Sequence, residues 1–272
     1  MRISAKTKFC VIIGDPVGHS LSPAMHNAAY RHLGIDDKYV YLAANAKVTD
    51  VGKIVTAMKV MDNFHALTCT VPHKIEVMRY LDWIDPIAKK IGAVNSVVKE
   101  NGILKGFNTD WLGAIIPLEK MINLKNKKVA LLGAGGAARA IVYGLKIKGA
   151  EVTILNRTVA KAEKLAVEFR CRFSSLENEK IIGQSDIVVN STTVGMKDGR
   201  LPIKTGNIKA DQIVFDVVYG KKETSFLKEA EKRGAKTISG LEMLLYQGVA
   251  QFELYTGKKA PLSIMKNVLK KL

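Results

Sequence analysis

Short runs of apolar, β-branched residues alternate along this chain with stretches whose apolar residues recur every three or four positions. That rhythm predicts strands interleaved with helices, and hence an α/β protein with largely parallel sheets. Phe9 to Ile13 reads as a first strand and Gly14 to Leu21 as a turn-rich loop. Ser22-Pro23 then opens a helix, with Ser22 as N-cap, Pro23 at N1, apolar Met25, Ala28, Ala29 and Leu33 on one face, and Gly34 at the end. A second unit pairs a strand at Ala66 to Val71 with a helix opened by Pro72 and running through Leu81. Val94 to Val98 and Ile103 to Phe107 read as a hairpin around Asn101-Gly102, a dipeptide suited to positive φ.

A domain boundary is expected inside the helix that follows Asp110, and from Lys128 the pattern becomes more regular. Strands at Val129 to Leu132, Val152 to Leu155, Asp186 to Asn190 and Ile213 to Tyr219 alternate with helices around Arg139 to Gly149 and Ala160 to Phe169. Leu241 to Tyr255 and Leu262 to Lys271 are read as helices, and neither a repeat nor a low-complexity tract interrupts the order.

Composition narrows the class. With 272 residues, 47% of them hydrophobic and 25% charged, the chain is long enough for two ordinary domains and has the balance of a globular protein. No stretch reaches the length of a membrane span, and nothing resembles a signal peptide. Cys10, Cys69 and Cys171 are odd in number and widely spaced, which argues against a disulfide framework or a zinc knuckle and for a reduced, cytoplasmic setting. The five histidines show no metal-ligand spacing. The net charge of +17 permits anionic partners, but the basic residues are dispersed and no aromatic–basic interleaving marks a nucleic-acid surface.

Three segments carry chemistry. Leu131-Leu132-Gly133-Ala134-Gly135-Gly136-Ala137-Ala138 fits the strand–G-x-G-x-x-G/A–helix fingerprint of a dinucleotide site. There Gly133 makes the tight turn, Gly135 lets backbone approach a pyrophosphate, and the helix N-terminus attracts the anion. At the tip of the next strand, where an NAD site places an acidic residue, stand Asn156-Arg157-Thr158. A guanidinium and a hydroxyl suit a 2′-phosphate, so NADP is favoured; Thr158 could instead serve only as a helix cap and Arg157 as a solvated charge. In Thr70-Val71-Pro72-His73-Lys74 the expected helix puts Lys74 in a first turn, where a cation is disfavoured and an ammonium pKa is lowered toward the range of proton transfer. A surface lysine stretched over apolar atoms is the competing reading. Asn108-Thr109-Asp110 could be no more than a helix cap, while Gln247 places an amide in a stripe formed with Met243, Ala250 and Leu254.

Together with Ser20-Leu21-Ser22-Pro23, Gly92-Ala93-Val94-Asn95, Asn190, Gly195-Met196, Asp216, Tyr219 and Gly240-Leu241, these segments resemble the shikimate dehydrogenase family in order and spacing over nearly the whole chain. The resemblance implies an N-terminal α/β substrate-binding domain over 1–110, a Rossmann-type NADP-binding domain over 111–239, and C-terminal helices over 240–272 returning to the first. It implies NADPH-dependent reduction of 3-dehydroshikimate, with Lys74 as proton donor and Asp110 as its catalytic partner. Ser20 and Ser22 would then bind the substrate carboxylate, and Thr70, Asn95, Asp110, Tyr219 and Gln247 the carboxylate end and ring hydroxyls. Gly133, Ala134, Gly135, Gly136 and Ala137, the Asn156, Arg157, Thr158 and Lys161 segment, Val217 and Gly240 would line the cofactor. A related enzyme acting on quinate is the alternative; no nucleic acid or membrane partner is implied, and a homodimer is left open.

Four departures stand out. Thr68 replaces the family's usual asparagine, so a substrate hydrogen bond is shortened, remade through water or lost, and Lys161 stands where an arginine is common. Ser191-Thr192-Thr193 and Gly220-Lys221 differ from the usual wording after their strands.

Overall fold

A computed structural model describes residues 3–196, 198–220 and 222–271. Lys221, one half of a departure noted above, lies outside them. The chain divides into two compact units, Met1–Thr109 with Leu245–Leu272, and Asp110–Leu244.

The first unit holds β1 (Lys8–Gly14), α1 (Ser22–His32), β2 (Tyr39–Asn45), α2 (Val51–Val60), β3 (Phe64–Cys69), β4 (Trp83–Ile84), α3 (Pro86–Ile91), β5 (Ser96–Glu100) and β6 (Ile103–Phe107). Its sheet has the order β2-β1-β3-β5-β6-β4. β1 is parallel to β2 and β3, whereas β5 runs antiparallel to β3 and β6. The β5–β6 turn is the expected one, with Asn101 at φ 51° and Gly102 at φ 79°. Val11, Ile13, Leu67, Val97 and Leu104 pack with Val51, Val55 and Met58 of α2 in one core layer.

The second unit holds α4 (Asp110–Glu119), β7 (Lys128–Leu132), α5 (Gly136–Ile147), β8 (Glu151–Asn156), α6 (Val159–Phe169), β9 (Arg172–Ser175), α7 (Glu179–Gly183), β10 (Ile187–Asn190), β11 (Ile213–Asp216), α8 (Ser225–Lys232) and β12 (Lys236–Ser239). α9 (Gly240–Thr256) begins in this unit and ends in the first, which α10 (Leu262–Lys271) completes. The sheet order is β12-β11-β10-β7-β8-β9, parallel throughout. Both faces of its strands are buried, so Val129 and Leu131 enter one core layer and Ala130 and Leu132 the other. Strand order reverses between β7 and β10, which opens a crevice at their carboxyl ends.

Three local expectations are corrected. The helix expected from Pro72 to Leu81 is a run of turns over 71–75 followed by a short 3-10 helix, Glu76–Tyr80. Here His73 is fully buried, with its Nε2 against the Ala46 carbonyl at 2.8 Å, and that tertiary anchor overrides the local helix signal. Ser22 is the first residue of α1 rather than its cap; Leu21 holds the cap position without a side-chain bond, and the Ser22 N–H donates to Ser20 Oγ at 3.3 Å. In α9 Met243 and Gln247 of the expected stripe are buried, together with Leu244, Leu245, Tyr246, Gly248, Gln251, Phe252 and Tyr255, while Ala250 and Leu254 are only half-buried. Gly248 lies close against α1, where an added Cβ would meet the terminal methyl of Met25.

Candidate active site

The polar residues of the first unit gather at one end of its sheet because of strand direction. That end receives the carboxyl termini of β1, β3 and β6 and, since β5 is antiparallel, the amino terminus of β5. The loops there contain Ser20, Thr70 with Lys74, Asn95, and Asn108-Thr109. Backbone bonds pin them: Thr70 N–H to the Ile13 carbonyl at 2.9 Å, Val94 N–H to the Lys74 carbonyl at 2.8 Å, and Asn95 N–H to the Phe107 carbonyl at 3.0 Å. A Cβ on Gly14 would collide with Thr70, so that glycine permits the two loops to approach. Lys74 is half-buried and sits in the turn after β3. No α-helix opens there, so the argument from a helix N-terminus does not apply to it; its candidacy rests on its position among these loops.

Asn95 is 1% exposed and its amide orientation is forced. Its Oδ1 accepts from the Thr109 backbone N–H at 2.8 Å and from Ser96 Oγ at 2.8 Å, while its Nδ2 donates to Thr109 Oγ1 at 2.9 Å. Thr109 is therefore engaged by Asn95. Thr68 Oγ1 lies 2.6 Å from the Tyr41 hydroxyl and 2.8 Å from that of Tyr255. With both neighbours buried beside it, the Thr68 hydroxyl is committed to the domain interior. Gln247 is buried on α9, and one turn later the fully buried Gln251 donates through Nε2 to Ser96 Oγ at 2.9 Å. Tyr41, Ser96, Gln251 and Tyr255 were not singled out from the sequence. The 3.6-residue spacing of Gln247, Gln251 and Tyr255 was the available signal.

In the second unit the glycine loop follows β7, at the reversal of strand order. Gly133 has φ 106°, and a Cβ on it would meet Ser191 Oγ at 2.8 Å and Thr192 Cγ2 at 3.0 Å from the loop after β10. Only glycine fits. A Cβ on Gly135 would meet nothing within 4 Å, and α5 starts at Gly136 with no side-chain cap. The first N–H groups of α5 thus face an open cradle that a pyrophosphate fits. Asn156 is half-buried at the end of β8, while Arg157, Thr158 and Lys161 are exposed beside it. Thr158 occupies the N-cap position of α6 yet its side chain makes no capping bond, so capping does not account for its hydroxyl. This donor set suits a phosphate-bearing ribose. Arg139, further along α5, is instead paired with Glu168 and lies over the Phe169 ring, which ties α5 to α6.

Asp216, at the end of β11, is fully buried and accepts from Asn190 Nδ2 at 2.8 Å, Thr224 Oγ1 at 2.7 Å and the Val218 N–H at 3.1 Å. Burial raises its pKa against the lowering effect of those bonds. It locks the loop carrying half-buried Val217 and Tyr219, and Gly240 lies where any Cβ would strike the Val217 carbonyl. Asp110 is a buried first residue of α4. Asp110 and Tyr219 thus belong to the second unit, and Ser20, Ser22, Thr70, Lys74, Asn95 and Gln247 to the first. Among the described residues no His, Cys, Asp or Glu cluster could hold a metal ion, and no helix is long and apolar enough to cross a membrane.

Comparison with known proteins places this chain in a family. Residues 12–97 match the shikimate dehydrogenase substrate binding domain, 117–197 the shikimate / quinate 5-dehydrogenase family, and 240–270 the shikimate 5′-dehydrogenase C-terminal domain. A shikimate dehydrogenase (NADP(+)) of Methanococcus aeolicus is 42% identical over 98% of both chains. A crystal structure of a shikimate dehydrogenase in complex with NADP+ is 40% identical, covers 99% of this chain and 97% of its own, and superposes with a TM-score of 0.93. Another, from Thermus thermophilus in complex with NADP(H) and shikimate, is 36% identical with a TM-score of 0.89, covering 97% of this chain and 99% of its own. This chain belongs to the shikimate dehydrogenase family.

Proposed function

We propose that this protein is an NADP-dependent oxidoreductase that interconverts 3-dehydroshikimate and shikimate, a step of aromatic amino acid biosynthesis. The observation that carries the reading is a relative holding NADP(H) and shikimate together that covers 97% of this chain at 36% identity. In this reading the N-terminal α/β unit takes the substrate and the Rossmann-type unit takes the cofactor.

When bound at the Gly133–Ala137 loop, NADPH supplies the hydride for the C3 carbonyl carbon. The chain's own residues do the rest. Lys74 Nζ gives a proton to the C3 oxygen in the reducing direction and takes it back in the oxidising one. Asp110 orients Lys74 and a ring hydroxyl. Ser20 and Ser22 hold the carboxylate, and Thr70, Asn95, Tyr219 and Gln247 hold the carboxylate end and the ring hydroxyls. Gly133, Ala134, Gly135, Gly136 and Ala137 would cradle the pyrophosphate, Arg157, Thr158 and Lys161 would take the 2′-phosphate beside Asn156, and Val217 and Gly240 would line the cofactor.

The test is direct. Purified protein mixed with NADP+ and shikimate is expected to generate NADPH, with quinate and NAD+ much poorer. Equal or faster turnover of quinate with NAD+ overturns the assignment in favour of a quinate enzyme.

A further inference from the structure

We infer that Asp216 and Asn190 are positioning residues: through one buried hydrogen bond they hold the loop after β10 and the turn after β11 in a single preformed shape that receives the nicotinamide half of NADP. The inference rests on the reading of the second unit as the NADP-binding unit.

Strand order says which half of the cofactor meets these loops. The glycine loop that suits a pyrophosphate follows β7, and the donor set that suits a phosphorylated ribose, Asn156 to Lys161, follows β8. In the order β12-β11-β10-β7-β8-β9, β10 and β11 lie on the other side of β7. A dinucleotide whose adenosine half runs toward β8 carries its other half over the carboxyl ends of β10 and β11. Those ends are Asn190 and Asp216, partners in the parallel ladder and both fully buried.

Backbone donors fix the direction of the bonds around them. Asn190 Oδ1 accepts the Thr192 backbone N–H at 3.1 Å, so its Nδ2 faces the other way and donates to Asp216 Oδ1 at 2.8 Å and to the Val194 carbonyl at 3.4 Å. Because Oδ1 has no proton to give, its 2.7 Å contact with Thr192 Oγ1 is a donation from the threonine, whose oxygen in turn accepts the Val194 N–H at 3.2 Å. Asp216 Oδ1 also accepts the Val218 N–H at 3.1 Å, and its Oδ2 accepts from Thr224 Oγ1 at 2.7 Å. Every polar atom of both side chains is engaged, away from solvent.

The set reaches the glycine loop as well. Ser191 Oγ donates to the Leu132 carbonyl at 2.6 Å, and Ser191 Oγ and Thr192 Cγ2 stand where a Cβ on Gly133 would meet them. The Ser191-Thr192 pair, a departure from the family's usual wording, thus supplies hydroxyls that join the loop after β10 to β7 and to Asn190. Asp216 extends the same connection to the turn carrying Val217 and Tyr219.

The experiment is calorimetric titration of the full chain with NADP+ and, separately, with adenosine 2′,5′-bisphosphate, which carries the phosphorylated ribose and lacks nicotinamide. Asp216→Asn keeps the side-chain volume but puts an amide NH2 among three donors. It is expected to weaken NADP+ binding about tenfold and to leave the bisphosphate within about a factor of two. Thr192→Val should weaken NADP+ about threefold, and Thr192→Ser should restore it. In the Asp216→Asn background the Thr192→Val effect should shrink, since both act through Asn190. Equal weakening of the two ligands overturns the inference, because a role in folding alone does not separate the halves of the cofactor; unchanged affinity for both overturns it too. Should Asp216→Asn fail to fold, the Thr192 variants decide alone. If the unaltered chain binds neither ligand, the cofactor reading fails and this inference with it.

Discussion

Lys74 shows how a residue can be picked for a reason that the fold replaces. Its motif is distinctive in the sequence, yet the expected helix is absent and a turn after β3 carries it. The prediction depends on position alone: Lys74→Ala should lower kcat by about 10²- to 10⁴-fold while NADPH binding, followed by fluorescence, stays near normal. Turnover within a factor of two of the unaltered chain would remove it as proton donor. His26 is the opposite case, unremarkable in sequence but fully buried, stacked on Tyr41 with ring centroids 4.3 Å apart. Neither ring nitrogen has a hydrogen-bond partner among the described residues, and burial lowers its pKa to about 3. Below its ordinary value of about 6.5 the unfolded chain binds a proton that the folded chain refuses, so stability falls as pH drops through that window, by about 1.4 kcal/mol per unit at full slope. Urea unfolding between pH 6.5 and 5 should show this loss, and His26→Phe, which keeps a stacked ring, should flatten it; an unaltered slope would assign it to other groups, His65 among them, whose pKa burial also lowers.

At the scale of elements, the regular parts were the readable parts. The βαβ run after Lys128 was legible because its strands are apolar on both faces and its helices carry one apolar stripe. The edge strand β2 and the short β4 and β9 were not singled out, since edge and two-residue strands lack a strong period. The Asn101-Gly102 turn was legible because only a few residues accept φ above zero. Gly240 was noticed through the resemblance, but its reason is geometric: it opens α9 against the Val217 and Val218 backbone, which cannot move aside as a side-chain tip can. Gly240→Ala is therefore expected to cost about 1–3 kcal/mol in stability and to weaken NADP binding as well. A urea midpoint equal to that of the unaltered chain would show that the β11–α9 junction yields.

Across the whole molecule the +17 net charge is spread over many exposed side chains, several in weak surface pairs such as Lys53–Asp50 and Arg79–Glu76. Its effect should be on association with anionic ligands. NADPH affinity is expected to fall more steeply than NADH affinity as salt rises from about 0.05 to 0.5 M, where the screening length shortens severalfold. Arg157→Ala should bring the two slopes together; parallel slopes in the unaltered chain would argue against a 2′-phosphate contact at Arg157. By itself, the sequence determined the α/β class and pointed to a glycine loop for a dinucleotide with a phosphate-suited donor set at the next strand end, because glycine geometry, periodic burial and charge are local properties that neighbours in the chain express; Lys74 was marked by its motif and by family resemblance, its local helix argument having no helix to rest on. Only the tertiary structure decided that Lys74 lies in a turn, that α9 turns Gln251 and Tyr255 inward, and that Thr68 faces two tyrosines. Those outcomes depend on which buried groups, far apart in the chain, complete one another's hydrogen bonds.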